Sequence, residues 1–178
     1  MSVAPLASLP HPSVVAVEQV EHALDQMCGW DGLSPIELKG LVERLMRAGA
    51  RVQAQQISAT RVLDASGLAK AEGASSTGAM LAGAFGGDRR AGDQIVRMAR
   101  AFESAPQTEG ALTRGSIDTA QAAVIASAVA GLPADTAPHE RQACEDTLIG
   151  DADRLTLKDL RRRALRITDQ FKPRDEVD

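Results

Sequence analysis

Apolar residues recur at intervals of three and four along most of the chain, the period of helices that bury one face. After a start capped by Ser13, Val17, Val20, Leu24 and Met27 form one such run, ended by Gly29 or by the turn Trp30-Asp31-Gly32. Ser34-Pro35-Ile36-Glu37 then reads as a capping box with proline at the first helical position. The longest pattern comes next: Leu38, Leu41, Leu45, Ala48, Val52, Gln55, Ala59 and Val62 alternate spacings of three and four, with only Gln55 breaking the stripe. It predicts a helix to about Ala65, roughly 45 Å long at 1.5 Å per residue. Such a stripe has two accounts. Other helices of the same chain cover it, which is the expected arrangement, or two chains pair along it as a short coiled coil. In the second case a homodimer would form through Leu38, Leu41, Leu45, Val52 and Val62, with Gln55 helping to fix the register.

The stretch from Gly73 to Gly115 is the one around which the rest is organised. Ser75 or Ser76 can cap a short helix whose buried residues would be Met80 and Leu81. Phe85-Gly86-Gly87-Asp88 is a turn, with glycines that permit positive φ and an aspartate suited to cap a second helix. In that helix Ala91, Ile95, Met98 and Phe102 share a face at spacings of four, three and four, leaving Arg89, Arg90, Gln94, Arg97 and Arg100 off it. A capped helix that presents arginines and a glutamine after a glycine turn reads as a helix-turn-helix. A plain corner of a helical bundle gives the same pattern.

Farther on, Pro106 to Thr113 predicts a short helix ended by Gly115. Ser116 caps another, with Ile117, Ala120, Val124 and Ala128 inward, stopped by Leu132-Pro133. This second Gly-Ser-Ile turn resembles a further helix-turn-helix corner. Pro138 opens a helix that contains Ala143, Cys144 and Leu148 and closes at Gly150. The last helix starts at Thr156, with Asp159 three residues on, and buries Leu160, Ala164, Ile167 and Phe171. The fold class is therefore all-α, a bundle of about seven or eight helices around one long helix. Residues 1–12 are expected to form a flexible Pro-punctuated arm, 13–172 a single domain and 173–178 a tail.

Composition supports helices over a sheet: 44% of residues are hydrophobic but only 2% aromatic, with no tyrosine, so the core is built from small aliphatic residues. A formal charge of −4 means that any binding to nucleic acid must come from a local patch. Such a patch exists. From Arg154 to Arg174 eight basic residues (Arg154, Lys158, Arg161, Arg162, Arg163, Arg166, Lys172, Arg174) face two acids, Asp159 and Asp169. That basic helix can neutralise phosphates, or it can dock on the acidic N-terminal helices that carry Glu18, Glu21, Asp25, Glu37 and Glu43. Around the first corner four arginines less two aspartates leave plus two over residues 88–100. Cys28 and Cys144 are far apart and lack metal-ligand spacing, so two buried thiols in a reducing cytosol are expected. No apolar run spans a membrane and the N-terminus lacks signal-peptide character, which makes the expectation cytoplasmic.

A family resemblance rests on Gly73, Ser76-Thr77, Met80-Leu81, Arg89, the run Ile95-Val96-Arg97-Met98-Ala99-Arg100-Ala101 and the run Leu112-Thr113-Arg114-Gly115-Ser116-Ile117. In order and spacing these blocks resemble the helical domain of unknown function 222, also called the 13E12 repeat family, from about Leu33 to Phe171. In that family the domain usually sits ahead of a C-terminal HNH nuclease domain. The resemblance implies a helical DNA-targeting module, here without the nuclease.

Catalytic chemistry is what the residues withhold. An HNH site needs histidines and usually an asparagine around one divalent metal. This chain has no asparagine, and its histidines are scattered at 11, 22 and 139, where surface or packing roles are the default. No CxxC, HExxH or phosphate-cradling glycine loop occurs, and no base is placed near a serine nucleophile. No metal or cofactor is expected, and the chain is read as a non-catalytic module. Its expected ligand is double-stranded DNA, read by Arg89, Arg90, Gln94, Arg97 and Arg100, with Arg161, Arg162, Arg163 and Arg166 on phosphates. The alternatives are a helical protein-interaction or dimerisation module acting through the long stripe, and more remotely a nuclease subunit completed by a partner chain.

Overall fold

The computed structural model describes residues 10–171, so most of the expected arm and the whole tail 173–178 lie outside the described residues. Among the described residues the chain is all-α, with nine α-helices, three short 3-10 turns and no strand. It divides into two compact units, Met1–Leu41 and Val42–Asp178.

In the first unit α1 spans Pro12–Asp25 and buries no residue. Val14, Val17, Val20 and Leu24 are spaced with the helical period, yet each stays exposed. Its cap is His11, whose Nδ1 accepts from the Ser13 amide at 3.2 Å, in place of the expected Ser13 hydroxyl. Pro12 stands at the first helical position, where its fixed φ already suits a helix, so the helix starts earlier than Ser13 alone would place it. A 3-10 turn at Trp30–Gly32 comes after Gly29, which takes φ +76°. The capping box then forms as expected: the Ser34 amide donates to Glu37 at 2.8 Å, and the Glu37 amide donates to Ser34 Oγ at 3.4 Å. It opens α2, Pro35–Ser66, at 32 residues the longest helix described.

The second unit holds the rest of α2 and then α3 (Leu68–Ala71), α4 (Thr77–Leu81), α5 (Arg89–Ala101), α6 (Pro106–Arg114), α7 (Thr119–Ala130), α8 (Pro138–Ala152) and α9 (Leu157–Asp169). One continuous core joins α2 and α5 to α9, built from Phe102, Leu112, Ile125, Val129, Leu148, Leu160 and Ile167 with many alanines between. Burying each of the larger side chains contributes about 1.5–3 kcal/mol. The small residues let the helix backbones approach closely. At the centre stands α7, with Ala122, Ile125, Ala126 and Val129 all fully buried and packed against α5, α6, α8 and α9.

That central position explains a difference from the expected faces. Ala120 is exposed and Val124 and Ala128 are half-buried, because a helix surrounded by neighbours has no single inward stripe to read. Its cap is Asp118, in a reciprocal box with Gln121, and not Ser116. Ser116 instead donates its hydroxyl back to the Ala111 carbonyl at 3.0 Å, closing the end of α6. In α8 the helix runs past Gly150 to Ala152, and Ala143 is exposed while Cys144 and Leu148 are buried. Of the two thiols only Cys144 is buried; Cys28 is exposed.

The largest correction concerns α2. Its buried residues are Ala50, Ala54, Ile57 and Thr60, none of them in the predicted stripe. Ala48, Val52, Gln55, Ala59 and Val62 are exposed, and Leu45 is half-buried. At 100° per residue the buried set and the stripe lie about 180° apart around the helix axis. The long helix thus rests on the core through its small residues and turns its predicted stripe away from it.

Candidate nucleic-acid interface

The corner around α4 and α5 is assembled by local rules. Ser76 caps α4, its Oγ accepting from the Ala79 amide at 3.1 Å. A 3-10 turn over Ala82–Phe85 and two left-handed glycines, Gly86 at φ +63° and Gly87 at φ +85°, reverse the chain. Asp88 then caps α5, accepting from the Arg90 amide at 2.8 Å. The two helices cross at a pair of glycines. A Cβ on Gly78 would stand 2.9 Å from the backbone N and Cα of Asp93, and one on Gly92 would stand 3.0 Å from the Gly78 carbonyl carbon. Thr77 and Gly78 are therefore the buried residues of α4, while Met80 and Leu81, expected inside, are only half-buried. Met98 in α5 and Phe102 just past its end are buried as expected, joined by Gly92, Val96 and Ala99, while Ala91 and Ile95 are half-buried.

A carboxylate on α2 ties this corner to the body of the unit. Asp64 accepts from Thr77 Oγ1 at 2.7 Å and from Arg100 Nε at 2.8 Å, so one side chain holds both α4 and α5. The bond from Arg100, and then that from Thr77, keeps the Asp64 carboxyl below its ordinary range. The Arg100 guanidinium is raised in turn by Asp64. Arg89 is exposed but engaged, donating to Ser75 Oγ at 3.2 Å and lying 3.9 Å from Asp93.

The five side chains expected to read DNA thus fall into two rows along α5. Arg89 and Arg100 belong to a row that fastens the helix. Arg90, Gln94 and Arg97, at i, i+4 and i+7, form the outward ridge; all three are exposed and none has an ion-pair partner among the described residues. From Arg90 to Arg97 the ridge spans about 10 Å along the helix axis.

The arginines of α9 divide in the same way. Arg163 donates to Asp151 at 3.0 Å, joining α9 to α8, and Arg162 lies 3.5 Å from Asp159 within its own helix. Arg161 and Arg166 have no carboxylate among the described residues. Arg161 lines an open groove between α7 and α9, of about 400 Å³, with Val124, Ala128, Leu165 and Thr168. The described structure brings α5 and α9 to two sides of α7 without a direct contact between them of the kind that α4 and α5 share.

Other polar residues hold the frame and gave no sign of it in the pattern. Arg61 on α2 makes a two-pronged pair with Glu109 on α6, at 2.9 and 3.0 Å. Glu145 is 2% exposed and its Oε1 accepts from the amide and hydroxyl of Thr108, at 2.5 and 2.8 Å, capping the start of α6 from inside the core. Burial pushes its carboxyl up from the ordinary 4.5, against the opposing effect of those bonds. Burial and the neighbouring Glu145 also push the Cys144 thiol up. Among the described residues no group of three or more His, Cys, Asp or Glu is placed to hold a metal ion, and no helix is long and apolar enough to cross a membrane.

The fold and this surface define a class: a helical domain with a short glycine-turn corner and an outward arginine ridge. Its family is given by comparison with family models. The model described as Domain of unknown function (DUF222) matches residues 39–176, and the chain belongs to that family. No curated protein and no solved structure matches the chain.

Proposed function

We propose that this chain is a non-catalytic module that binds double-stranded DNA through the outward ridge of α5. The observation that carries the reading is the ridge itself: Arg90, Gln94 and Arg97 stand exposed on one line, without carboxylate partners among the described residues, on a helix fastened by its other arginines. A free guanidinium costs nothing in broken ion pairs when it meets a phosphate or a guanine edge, and a glutamine offers both a donor and an acceptor to a base. The family resemblance, with its usual HNH nuclease neighbour, favours DNA over other polyanions. Arg161 and Arg166 on α9 are the remaining candidates for phosphate contacts; Arg162 and Arg163 are already engaged.

The test is fluorescence anisotropy of a labelled duplex titrated with the full chain at several salt concentrations. Binding should weaken steeply with salt, and Arg90→Ala/Arg97→Ala should lower the slope of log K against log[salt] by roughly two. Arg161→Ala/Arg166→Ala reports whether α9 contributes. Absence of binding at low salt, or binding indifferent to the α5 variant, refutes the assignment of α5.

A further inference from the structure

We propose that a second copy of this chain covers the outward face of α2, the two helices running parallel and in register. The proposal stands apart from DNA binding. Within the second unit the stripe Leu45, Ala48, Val52, Gln55, Ala59 and Val62 holds the spacing of a two-stranded seam, and from Ala48 onward every member is exposed. Val52 and Val62 are 51% and 68% exposed, although the same helix buries Ala50, Ala54 and Ile57 on its other side. The helix is apolar on both sides, and its own chain covers one of them.

The shoulders of the stripe admit a second copy, and its one polar member sets the direction. Arg44 and Arg51 precede seam positions on one shoulder and are exposed; the other shoulder carries Val42, Gly49, Gln56 and Leu63. An antiparallel second copy over the same stretch sets Arg51 beside Ser58 and opposes Gln55 with Val52. A parallel copy sets Arg44 beside Gly49 and Arg51 beside Gln56, so no like charges meet. Gln55 distinguishes the two directions. It is exposed and has no side-chain partner among the described residues. Only an in-register parallel copy opposes it with a group of matching donors and acceptors, its own counterpart. A polar layer of this kind lowers affinity and fixes alignment.

From Leu45 to Val62 the contact runs about 26 Å along the helix. Such a strip buries on the order of 1,000 Å² in total, at the small end of specific interfaces. The dimer is therefore one that forms and dissociates with concentration. Leu38 and Leu41, both half-buried, continue the phase toward the start of α2. A parallel pair would present two α5 ridges related by a two-fold axis, the arrangement that reads paired half-sites.

Sedimentation velocity of the full chain over the micromolar range tests this, with far-UV circular dichroism to confirm folding. The mean mass should rise with concentration toward twice that of the chain. Val52→Asp/Val62→Asp, both on an exposed surface, should keep the helical spectrum and raise the dimer Kd by at least about a hundredfold. In a Cys28→Ser background, Gln55→Cys should oxidise to a symmetric disulfide dimer, and Gln142→Cys on α8 should not. A chain that stays monomeric throughout overturns the proposal. So does a dimer that survives the two aspartates, or one that Gln55→Cys fails to cross-link.

Discussion

Gly92→Ala separates a crossing built on close backbone approach from an ordinary helix contact. In an exposed helix interior this substitution stabilises by about 1 kcal/mol, because glycine loses more backbone freedom on folding. At position 92 the new methyl would meet backbone atoms of Gly78 at 3.0 and 3.3 Å, with the carbonyl oxygen nearer still. Neither atom belongs to a flexible side chain, so α4 must move as a body. Overpacking of this kind costs about 1–3 kcal/mol or more, and against backbone the upper end applies. After the propensity gain is deducted, the variant should lose about 2 kcal/mol, a fall of roughly 4–8 °C in Tm for a unit of this size. Gly150→Ala is the matched control, a helical glycine with nothing within 4 Å of its Cβ position, and should gain up to about 1 kcal/mol. The assays are urea unfolding followed by circular dichroism, and hydrogen exchange over residues 77–85, where amides should lose protection in Gly92→Ala alone. If Gly92→Ala is as stable as Gly150→Ala, the tight crossing is refuted.

Two further substitutions test the polar frame. Asp64→Ala should cost about 1 kcal/mol, the worth of a half-solvated charge pair, and should loosen α4 and α5 together. Since the fold depresses the Asp64 pKa, its stabilising contribution is present above the ordinary 3.8 and disappears as pH falls through the folded value; the stability difference between wild type and Asp64→Ala should vanish in acid. Glu145 has the opposite sign. Its folded pKa is raised, so the native state holds the proton more tightly, and stability should fall as pH rises from 4.5 through the folded value. Glu145→Gln should flatten that slope in urea titrations run from pH 4 to pH 8. Glu145→Ala should instead cost about 2–4 kcal/mol, because the buried Thr108 amide and hydroxyl lose their acceptor.

Elements whose ends are fixed by local chemistry were legible in the chain. Ser34 with Glu37, Ser76, Asp88 and Thr156 each cap the helix that their position predicts, since a cap needs only neighbours two or three residues away. The face of α9 was legible for a related reason: it packs on one side only, and Leu160, Ala164 and Ile167 repeat at its period. What the pattern could not show was pairing across distance. Nothing near Arg100 in sequence marks it as the partner of Asp64, 36 residues away, so it reads as one more arginine free for DNA. Glu145 follows Cys144 in its helix, with no local sign that its carboxylate turns inward to Thr108. Gly78 and Gly92 lie 14 residues apart in the chain, and only their juxtaposition at the helix crossing gives them a use.

The phase of α2 is the instructive case, because the periodicity is real and intramolecular burial does not follow from it. A three-four repeat of apolar residues reports that some face of a helix is apolar, and says nothing about which molecule covers it. The face that packs on the core uses Ala50, Ala54, Ile57 and Thr60, mostly small or polar residues that carry little hydrophobic signal. Of the larger residues of the stripe within the second unit, Val52 and Val62 stand exposed and Leu45 is half-buried. On this helix the weaker pattern marks the intramolecular contact, and the stronger lies, from Ala48 onward, on the face that the core leaves exposed.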